Sequence, residues 1–211
     1  MYGDSLPMQV LVADDEPSIR FVLREALEAE GHEVFDVEDG QSAADALAEG
    51  DYDLAILDVR MPGMSGLELQ RRLVDQEIRI PTLILTAHAE VSMAVEALKA
   101  GAFDFIEKPY SPQALLDSVQ QALARDAQDR QARAERNDLR ERFGSLSGRE
   151  LEVLQRLVAG DHFKKIAAEL GISATTVGFH RRNLLEKMKV DNFIELGRLF
   201  EAHQRADAPP E

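Results

Sequence analysis

Five short apolar runs, each followed by a longer segment of helical spacing, constrain the fold of this chain more than any other feature. The runs are MQVLVA, EVFDV, LAILD, TLILTA and DFIEK, all within the first 108 residues. Runs that are apolar on both faces are typical of parallel strands covered by helices on both sides. The alternation therefore predicts a doubly wound α/β domain of five strand–helix units.

A charged helical stretch follows these units. From Gln113 to Phe143 the chain has neither Pro nor Gly, and the apolar spacing stops near Leu123. We expect the last helix of the first domain to continue as an exposed linker helix that ends near Gly144. This linker is either a solvated spacer or a dimerising coiled coil, although Leu139 and Phe143 are too few for a heptad seam.

The last third of the chain has helix-boundary signals of its own. Ser147 with Glu150 forms a capping box, as Ser65 with Glu68 does earlier in the chain, and Gly160 and Gly171 stand where helices should end. Four short helices are expected, at about 148–159, 162–170, 174–189 and 192–202, which together make a small all-α domain. The predicted division is a first domain at 1–125, a linker at 126–145, a second domain at 146–203 and a disordered tail at 204–211.

Composition narrows the class of protein. The net charge of −15 comes entirely from residues 1–125, with 24 acidic and 9 basic residues, so the neutral remainder can still present basic residues to DNA. The chain has no cysteine, which excludes disulfides, thiol nucleophiles and cysteine-bound zinc. We expect no secretory leader, because the N-terminal residues do not combine a basic and an apolar segment, and no apolar run approaches the roughly 20 residues that span a bilayer. We therefore expect a cytoplasmic protein that does not bind membranes.

Polar residues stand at the ends of the predicted strands. Asp14 and Asp15 follow the first strand, Asp58 the third, Thr86 the fourth and Lys108 the fifth. An Asp-Asp pair alone is most simply a solvated strand end. In a parallel sheet, however, these ends share one edge, where ligands bind. Converging carboxylates would repel one another unless a divalent cation were present, which favours a Mg²⁺ site beside a cradle for a phosphoryl group.

The roles of the acids follow from their positions. Asp58 is alone at its strand end and precedes a flexible stretch, so it is the predicted nucleophile that forms an aspartyl phosphate. Asp15 is the predicted direct Mg²⁺ ligand, Asp14 a ligand largely through water, and the carbonyl of Arg60 a further ligand. Asp58 completes this metal set.

The motifs DDE, LDVRMPGMSG, TAH and FIEKP resemble the receiver domain of two-component response regulators, which has a flavodoxin-like fold. The resemblance covers about residues 8–125 and implies phosphoryl transfer from a sensor histidine kinase. In this scheme Lys108 pairs with the phosphoryl oxygens and Thr86 donates its hydroxyl to one of them. The resemblance also implies a cis peptide before Pro109 and a switch aromatic at Phe105, which by itself would be an ordinary core residue.

The helices at 162–170 and 174–189, joined through GIS, have the lengths and glycine turn of a helix-turn-helix. Turning the second helix by 100° per residue places Val177, Leu184, Leu185 and Met188 on one face. The opposite face carries one strong base reader, Arg182. The candidate DNA contacts are Lys164, Lys165, Thr175, Thr176, Gly178, Phe179, His180, Arg181, Arg182 and Lys187.

The stretches LSGRELEVLQRLVAG, KKIAAELGISATTV and HRRNLLEKM are similar to the LuxR-type DNA-binding domain over about residues 146–202. With the receiver, the chain resembles regulators of the FixJ and NarL type. Phe163 and Gly178 depart from that family's usual asparagine and polar residue, which puts DNA specificity in question. Phe179 either touches a thymine methyl group or packs against the neighbouring helix.

These features predict a phosphorylation-gated transcriptional regulator that is not an enzyme. We expect homodimerisation on phosphorylation, binding to double-stranded promoter DNA, and contact with RNA polymerase. The surface SMAVEALKAGAFDF is the expected dimerisation or inhibitory face. One alternative is a Mg²⁺-dependent aspartyl-phosphate phosphohydrolase of the haloacid dehalogenase kind, although Arg60 stands where that chemistry needs a general acid. Others are a regulator gated by a small ligand and a receiver that acts by protein contact without phosphorylation.

Overall fold

The structure is a computed structural model that describes residues 7–88 and 90–207. It divides into two compact units, with the boundary between residues 129 and 130. None of the helices in the described ranges combines the length and apolar character that a membrane span requires.

The first unit contains a five-stranded, wholly parallel sheet in the order β2-β1-β3-β4-β5. The strands are β1 (Gln9–Ala13), β2 (Glu33–Val37), β3 (Leu54–Asp58), β4 (Thr82–Thr86) and β5 (Asp104–Glu107). The helices are α1 (Pro17–Ala29), α2 (Gly40–Glu49), α3 (Gly66–Asp75), α4 (Val91–Lys99) and α5 (Pro112–Gly144), the last of which continues past the boundary into the second unit. The predicted doubly wound fold is confirmed, and the strand order reverses direction between β1 and β3.

Both faces of the central strands are buried, as the apolar runs predicted. Val10 and Val12 of β1 belong to one hydrophobic cluster, whereas Leu11 and Ala13 belong to a second. This alternation follows from the two-residue period of a strand, which turns successive side chains to opposite faces. Helices α1 and α5 contribute to the first cluster and helices α2, α3 and α4 to the second, so helices cover both faces of the sheet.

The start of α3 packs directly on the end of β3. Ser65 and Glu68 form the predicted capping box, in which the Ser65 hydroxyl accepts the Glu68 N–H and the Glu68 carboxylate accepts the Ser65 N–H at 2.9 Å. Gly66 follows the cap, and a Cβ atom there would lie 2.3 Å from the main-chain oxygen of Asp58. Only glycine allows this approach, so the residue ties the first turn of α3 to the backbone of Asp58.

The second unit is helical, and its core extends into the predicted linker. Its helices after α5 are α6 (Gly148–Val158), α7 (Phe163–Leu170), α8 (Ala174–Met188) and α9 (Phe193–Asp207). Helix α5 ends at Gly144 as expected, but Phe143 is buried in the hydrophobic cluster of the second unit, with Val153 and Leu184, and Leu139 is partly buried against it. A spacer solvated along its whole length is therefore wrong, and a boundary at 146 omits part of this core.

Helix α9 is longer than predicted. It continues to Asp207, so the expectation of a disordered tail is wrong for 204–207, while residues 208–211 lie outside the described part of the chain. The sequence has no Gly or Pro between Gly197 and Pro209 to end the helix earlier. The His203 ring also stacks on Phe143 at a centroid distance of 4.2 Å, which anchors the extra turn.

Replacing Gly66 with Ala is expected to destabilise the first unit by about 1–3 kcal/mol, because the new methyl group meets a backbone oxygen that cannot move aside. Urea denaturation followed by tyrosine fluorescence measures this unit, since all three tyrosines precede residue 130. Gly148→Ala is the matched control, and circular dichroism follows its unfolding because Gly148 lies in the second unit, which has no tyrosine. Gly148 also follows a capping serine, but its Cβ would meet no atom within 4 Å. Equal urea midpoints for Gly66→Ala and the wild type would contradict the steric argument.

Candidate functional site

The carboxyl ends of four parallel strands meet at one edge of the sheet. Asp14 comes directly after β1, Asp58 and Thr86 are the last residues of β3 and β4, and Lys108 follows β5. Parallel pairing keeps these ends level, with Asp58 beside Leu85 of β4 and Thr86 beside Glu107 of β5. The fold therefore gathers residues that are up to 94 positions apart in the chain.

Lys108 joins two of the predicted acids. Its Nζ atom lies 2.6 Å from Asp14 Oδ2 and 2.6 Å from Asp58 Oδ1. The three side chains are only 12%, 0% and 8% exposed, respectively. The two carboxylates can lie close together although they are buried from water, because the ammonium group that they share offsets their repulsion.

Main-chain N–H groups hold the other carboxylate oxygens. The Glu16 N–H donates to Asp14 Oδ1 at 2.9 Å, and the Arg60 N–H donates to Asp58 Oδ2 at 2.6 Å. Both carboxylates are thus hydrogen bonded through both oxygens, and their directions are fixed.

Burial and hydrogen bonding act in opposite directions on the pKa values of this site. Burial raises the pKa of Asp58 above its ordinary value, against the opposing effects of Lys108 and the Arg60 N–H. Burial alone would lower the pKa of Lys108, but its hydrogen bonds to Asp14 and Asp58 outweigh that effect and raise it. Lys108 therefore carries its charge at neutral pH.

Thr86 of β4 and Phe105 of β5 contact groups other than the acids. The buried Thr86 hydroxyl donates to the main-chain oxygen of His88 and accepts the His88 N–H, both at 3.2 Å. Among the described contacts, none joins this hydroxyl to Asp58 or Lys108. Phe105 is partly buried and packs against the second hydrophobic cluster.

Two residues bridge the mouth of the site in a way that the sequence interpretation did not foresee. Arg60 Nη2 lies 2.5 Å from His88 Nδ1, which links the loop after β3 to the loop after β4. Each residue stands two positions beyond a strand-end residue, Asp58 or Thr86. That shared offset on neighbouring strands is the sequence signal from which the contact could have been predicted.

The donor chemistry of the site fits Mg²⁺, which takes one or two carboxylates and keeps several waters. Asp15 is exposed and lines an open pocket of about 510 Å³ with Glu38, Asp39, Pro62 and Gly63. No group of three or more His, Cys, Asp or Glu side chains within the described ranges is arranged to hold a metal ion. The structure thus brings Asp14 and Asp58 together without adding Asp15, and the full ligand set stays a prediction.

Helices α7 and α8 form the predicted helix-turn-helix. Helix α7 is capped by Gly171, whose φ of +65° lies in the left-handed region that glycine favours. Ser173 caps α8 by accepting the Thr176 N–H at 3.0 Å. Val177, Leu184 and Met188 are buried, as the helical rotation predicted.

The outer face of α8 is open to solvent. Thr175 and Arg182 are exposed, and the Phe179 side chain is 59% exposed. This exposure favours a contact with DNA over packing against the neighbouring helix, and the role of Phe179 stays a prediction. Gly178 has open space where a side chain would be, since no atom lies within 4 Å of an added Cβ.

The basic candidates for DNA contact differ in how they are bonded. Lys165 pairs with Asp161 at 2.5 Å, and the Arg181 guanidinium lies 5.5 Å from the centre of the Phe193 ring. The side chains of Lys164 and Arg182 are exposed, and no ion pair or side-chain hydrogen bond joins them to other described residues. His180 is partly buried, and its Nδ1 atom has no hydrogen-bond partner in the described structure.

Lys187 contacts a buried acid within the second unit. Its Nζ atom lies 2.7 Å from Glu150 Oε2 and 3.2 Å from the main-chain oxygen of Ser145. The same Glu150 oxygen accepts the Ser147 N–H at 2.8 Å as part of the α6 capping box. Burial alone would raise the pKa of Glu150, but the bonds from Lys187 and Ser147 lower it to about 2. Lys187 therefore joins α8 to the start of α6.

Comparison with known proteins gives matches over both units. A model described as the response regulator receiver domain matches residues 10–120, and one described as the luxR family of bacterial regulatory proteins matches residues 144–200. The transcriptional regulatory protein FixJ of Rhizobium meliloti is 40% identical, covering 90% of this chain and 93% of the relative. FixJ of Bradyrhizobium diazoefficiens is 37% identical with the same coverage.

A solved structure gives a similar result. A low-resolution structure of the response regulator StyR superposes with a TM-score of 0.84 at 41% identity, covering 92% of this chain and 98% of that one. The matches thus extend over nearly the whole chain rather than over one unit.

Replacing Glu150 with Gln is expected to destabilise the second unit in a pH-dependent way. Because folding lowers the Glu150 pKa from 4.5 to about 2, the carboxylate stabilises the unit fully above pH 4.5 and progressively less as the pH falls toward 2. This shift corresponds to at most about 3 kcal/mol at pH 7. Denaturation followed by circular dichroism, compared with the tyrosine signal of the first unit, measures the difference.

Glu152→Gln is the control, because Glu152 forms a more exposed pair with Arg149, and such pairs contribute about 0–1 kcal/mol. A stability deficit of Glu150→Gln that is as large at pH 3 as at pH 7 would show that charge is not the cause.

Proposed function

The chain belongs to the response regulator family, with a receiver domain followed by a LuxR-type DNA-binding domain, and we propose that Asp58 accepts the phosphoryl group that gates its activity as a transcriptional regulator. The observation that most supports Asp58 is its position. It stands at the end of the central strand β3, with one oxygen 2.6 Å from the Lys108 ammonium group.

The proposed reaction is phosphoryl transfer from a phosphohistidine of a sensor kinase. A carboxylate oxygen of Asp58 forms a bond to phosphorus while the phosphorus–nitrogen bond breaks, and the imidazole nitrogen of the donor keeps the electron pair. Lys108 offsets the negative charge of the transferred oxygens. Bound Mg²⁺ would supply further positive charge, with Asp14, Asp15, Asp58 and the Arg60 carbonyl as its ligands.

The proposed switch starts at Thr86. A phosphoryl oxygen on Asp58 is a stronger acceptor than the main-chain oxygen of His88, to which the Thr86 hydroxyl now donates. The hydroxyl therefore turns toward the phosphoryl group, and the partly buried Phe105 fills the space that this movement opens. This rearrangement changes the surface formed by α4 and β5.

An exposed apolar face on α4 supports dimerisation through that surface. Val91, Val95 and Leu98 are 82%, 44% and 51% exposed, and their spacing places them on one side of the helix. We infer a homodimer that forms when Asp58 is phosphorylated. Two copies then present two α8 helices to the half-sites of a promoter.

The proposed DNA contacts divide by chemistry. Arg182, Phe179 and Thr175 are exposed on the outer face of α8 and can reach base edges in the major groove. Lys164, Lys165, Thr176, Gly178, His180, Arg181 and Lys187 stand near the phosphates or support the helix that reads the bases. Promoter binding implies RNA polymerase as a partner and the cytoplasm as the location.

Hydrolysis of a separate substrate is the weaker proposal. A haloacid dehalogenase type of enzyme needs a general acid two residues after its nucleophile, but Arg60 occupies that position and contacts His88. The chemistry that we propose is therefore limited to phosphoryl uptake and loss at Asp58 itself.

Incubation of the protein with Mg²⁺ and acetyl phosphate tests this function. The wild type is expected to gain the mass of one phosphoryl group, to double its molar mass in light scattering and to bind promoter DNA more tightly. Asp58→Asn, which keeps the size and shape of the side chain, should do none of these. A wild type that dimerises and binds DNA without any mass gain would favour a receiver that acts by protein contact alone.

Arg182→Ala is expected to weaken binding to a selected operator by about 1–3 kcal/mol relative to unrelated DNA, because a base-reading contact is lost. Lys164→Ala should weaken binding to both DNAs about equally, since a phosphate contact carries no sequence information. Fluorescence anisotropy with operators selected by the wild-type protein measures both effects. An Arg182→Ala variant that loses affinity for both DNAs alike would exclude a base-reading role.

A further inference from the structure

Arg20 of α1 holds the main chain between the two neighbouring aspartates. Its Nη1 atom donates to the main-chain oxygen of Asp14 at 2.7 Å, and its Nε atom donates to Asp36 Oδ2 at 3.0 Å. The Arg20 side chain is only 13% exposed. We propose that Arg20 is a positioning residue for Mg²⁺ binding, an inference that rests on the metal site of the proposed function.

The Asp14 carbonyl needs a bonding group from outside the sheet. Strand pairing of β1 ends at Ala13, and the Asp14 N–H donates to Val37 at 3.2 Å. The chain then turns away from the sheet, so the Asp14 carbonyl is beyond the ladder. Arg20, one turn into α1, supplies the donor that this carbonyl would otherwise lack.

Holding this carbonyl also orients Asp15. The carbonyl of Asp14 and the N–H of Asp15 lie in one rigid peptide plane, so fixing the first fixes the second. The Asp14 carboxylate already has Glu16 and Lys108 as hydrogen-bond donors. The exposed Asp15 side chain depends more on the peptide plane for its direction, and a metal ligand must be held closely to its required geometry.

An arginine suits this task because its planar group offers several N–H donors at fixed angles. One donor takes the Asp14 carbonyl, while another takes Asp36 at the end of β2. A lysine has a single ammonium group and cannot hold both acceptors in the same plane. Asp36 also pairs with Arg24, which contacts Glu28 and the Val34 carbonyl but does not contact Asp14.

Charge alone predicts the opposite effect on Mg²⁺ binding. A guanidinium group close to the aspartates repels a divalent cation, so its removal should tighten Mg²⁺ binding if charge were its main effect. Positioning predicts that removal weakens Mg²⁺ binding. The sign of the change therefore separates the two roles.

Isothermal titration of the full chain with MgCl₂ tests the proposal directly. Arg20→Gln is expected to raise the Kd for Mg²⁺ about 10-fold, as loss of a residue that orients a metal ligand does. Arg24→Gln is the matched control, because Arg24 also pairs with Asp36, through the other carboxylate oxygen, and it should leave the Kd unchanged. The Mg²⁺ concentration for half-maximal phosphorylation by acetyl phosphate should rise with the Kd, while the rate at saturating Mg²⁺ stays the same.

An unchanged or lower Kd in Arg20→Gln would overturn the positioning role while leaving the proposed function intact. A wild type that neither binds Mg²⁺ nor accepts a phosphoryl group would overturn both. Tyrosine-monitored denaturation in EDTA checks that Arg20→Gln is folded. If it is not, Arg20→Lys gives the same decision, because it keeps the charge and is still expected to raise the Kd.

Discussion

The ammonium group of Lys108 is the charge on which the functional edge of the sheet depends. Two ionised aspartates that are nearly inaccessible to water would repel each other, and burial alone would disfavour the charged form of each. Lys108 bonds both carboxylates, at 2.6 Å each, and its positive charge offsets their repulsion. A phosphoryl group added to Asp58 would compete for the same cation, so the contact that stabilises the resting site is also the one that phosphorylation would alter.

The geometry of a parallel sheet explains how a few residues are enough to position the acids of the site. Strands β1 and β3 are neighbours because the chain reverses its winding direction between them, and this reversal leaves a crevice above their ends. Each acid in the crevice is then restrained by the helix that follows its strand. Arg20 of α1 holds the backbone of Asp14, and Gly66 lets α3 rest against the backbone of Asp58. The positions of the two aspartate side chains thus depend on contacts that α1 and α3 make with the backbone of Asp14 and Asp58.

Local signals in the sequence were sufficient to predict much of this arrangement. Strand-end residues, capping boxes and helix-ending glycines act over a few residues, so the fold and the edge that carries Asp58 could be predicted from them. Contacts between residues that are far apart in the chain could not be predicted from such signals. Nothing near Lys187 in the sequence indicates a bond to Glu150, 37 positions away, and nothing near Phe143 indicates that it stacks on His203. The linker and the end of α9 were mispredicted for this reason, since tertiary packing decides both.

The bond between Lys187 and Glu150 limits what the basic residues of the helix-turn-helix can contribute electrostatically. A cation already neutralised by a buried carboxylate displaces few condensed counterions when DNA arrives, and counterion release governs how steeply affinity falls with ionic strength. A count of the lysines and arginines along α8 would therefore overestimate how steeply the affinity for DNA falls as the ionic strength rises. The charge of Lys187 instead helps to hold α8 against the start of α6. In the proposed mode of binding, discrimination between DNA sequences depends on base contacts such as that of Arg182 rather than on the number of basic residues.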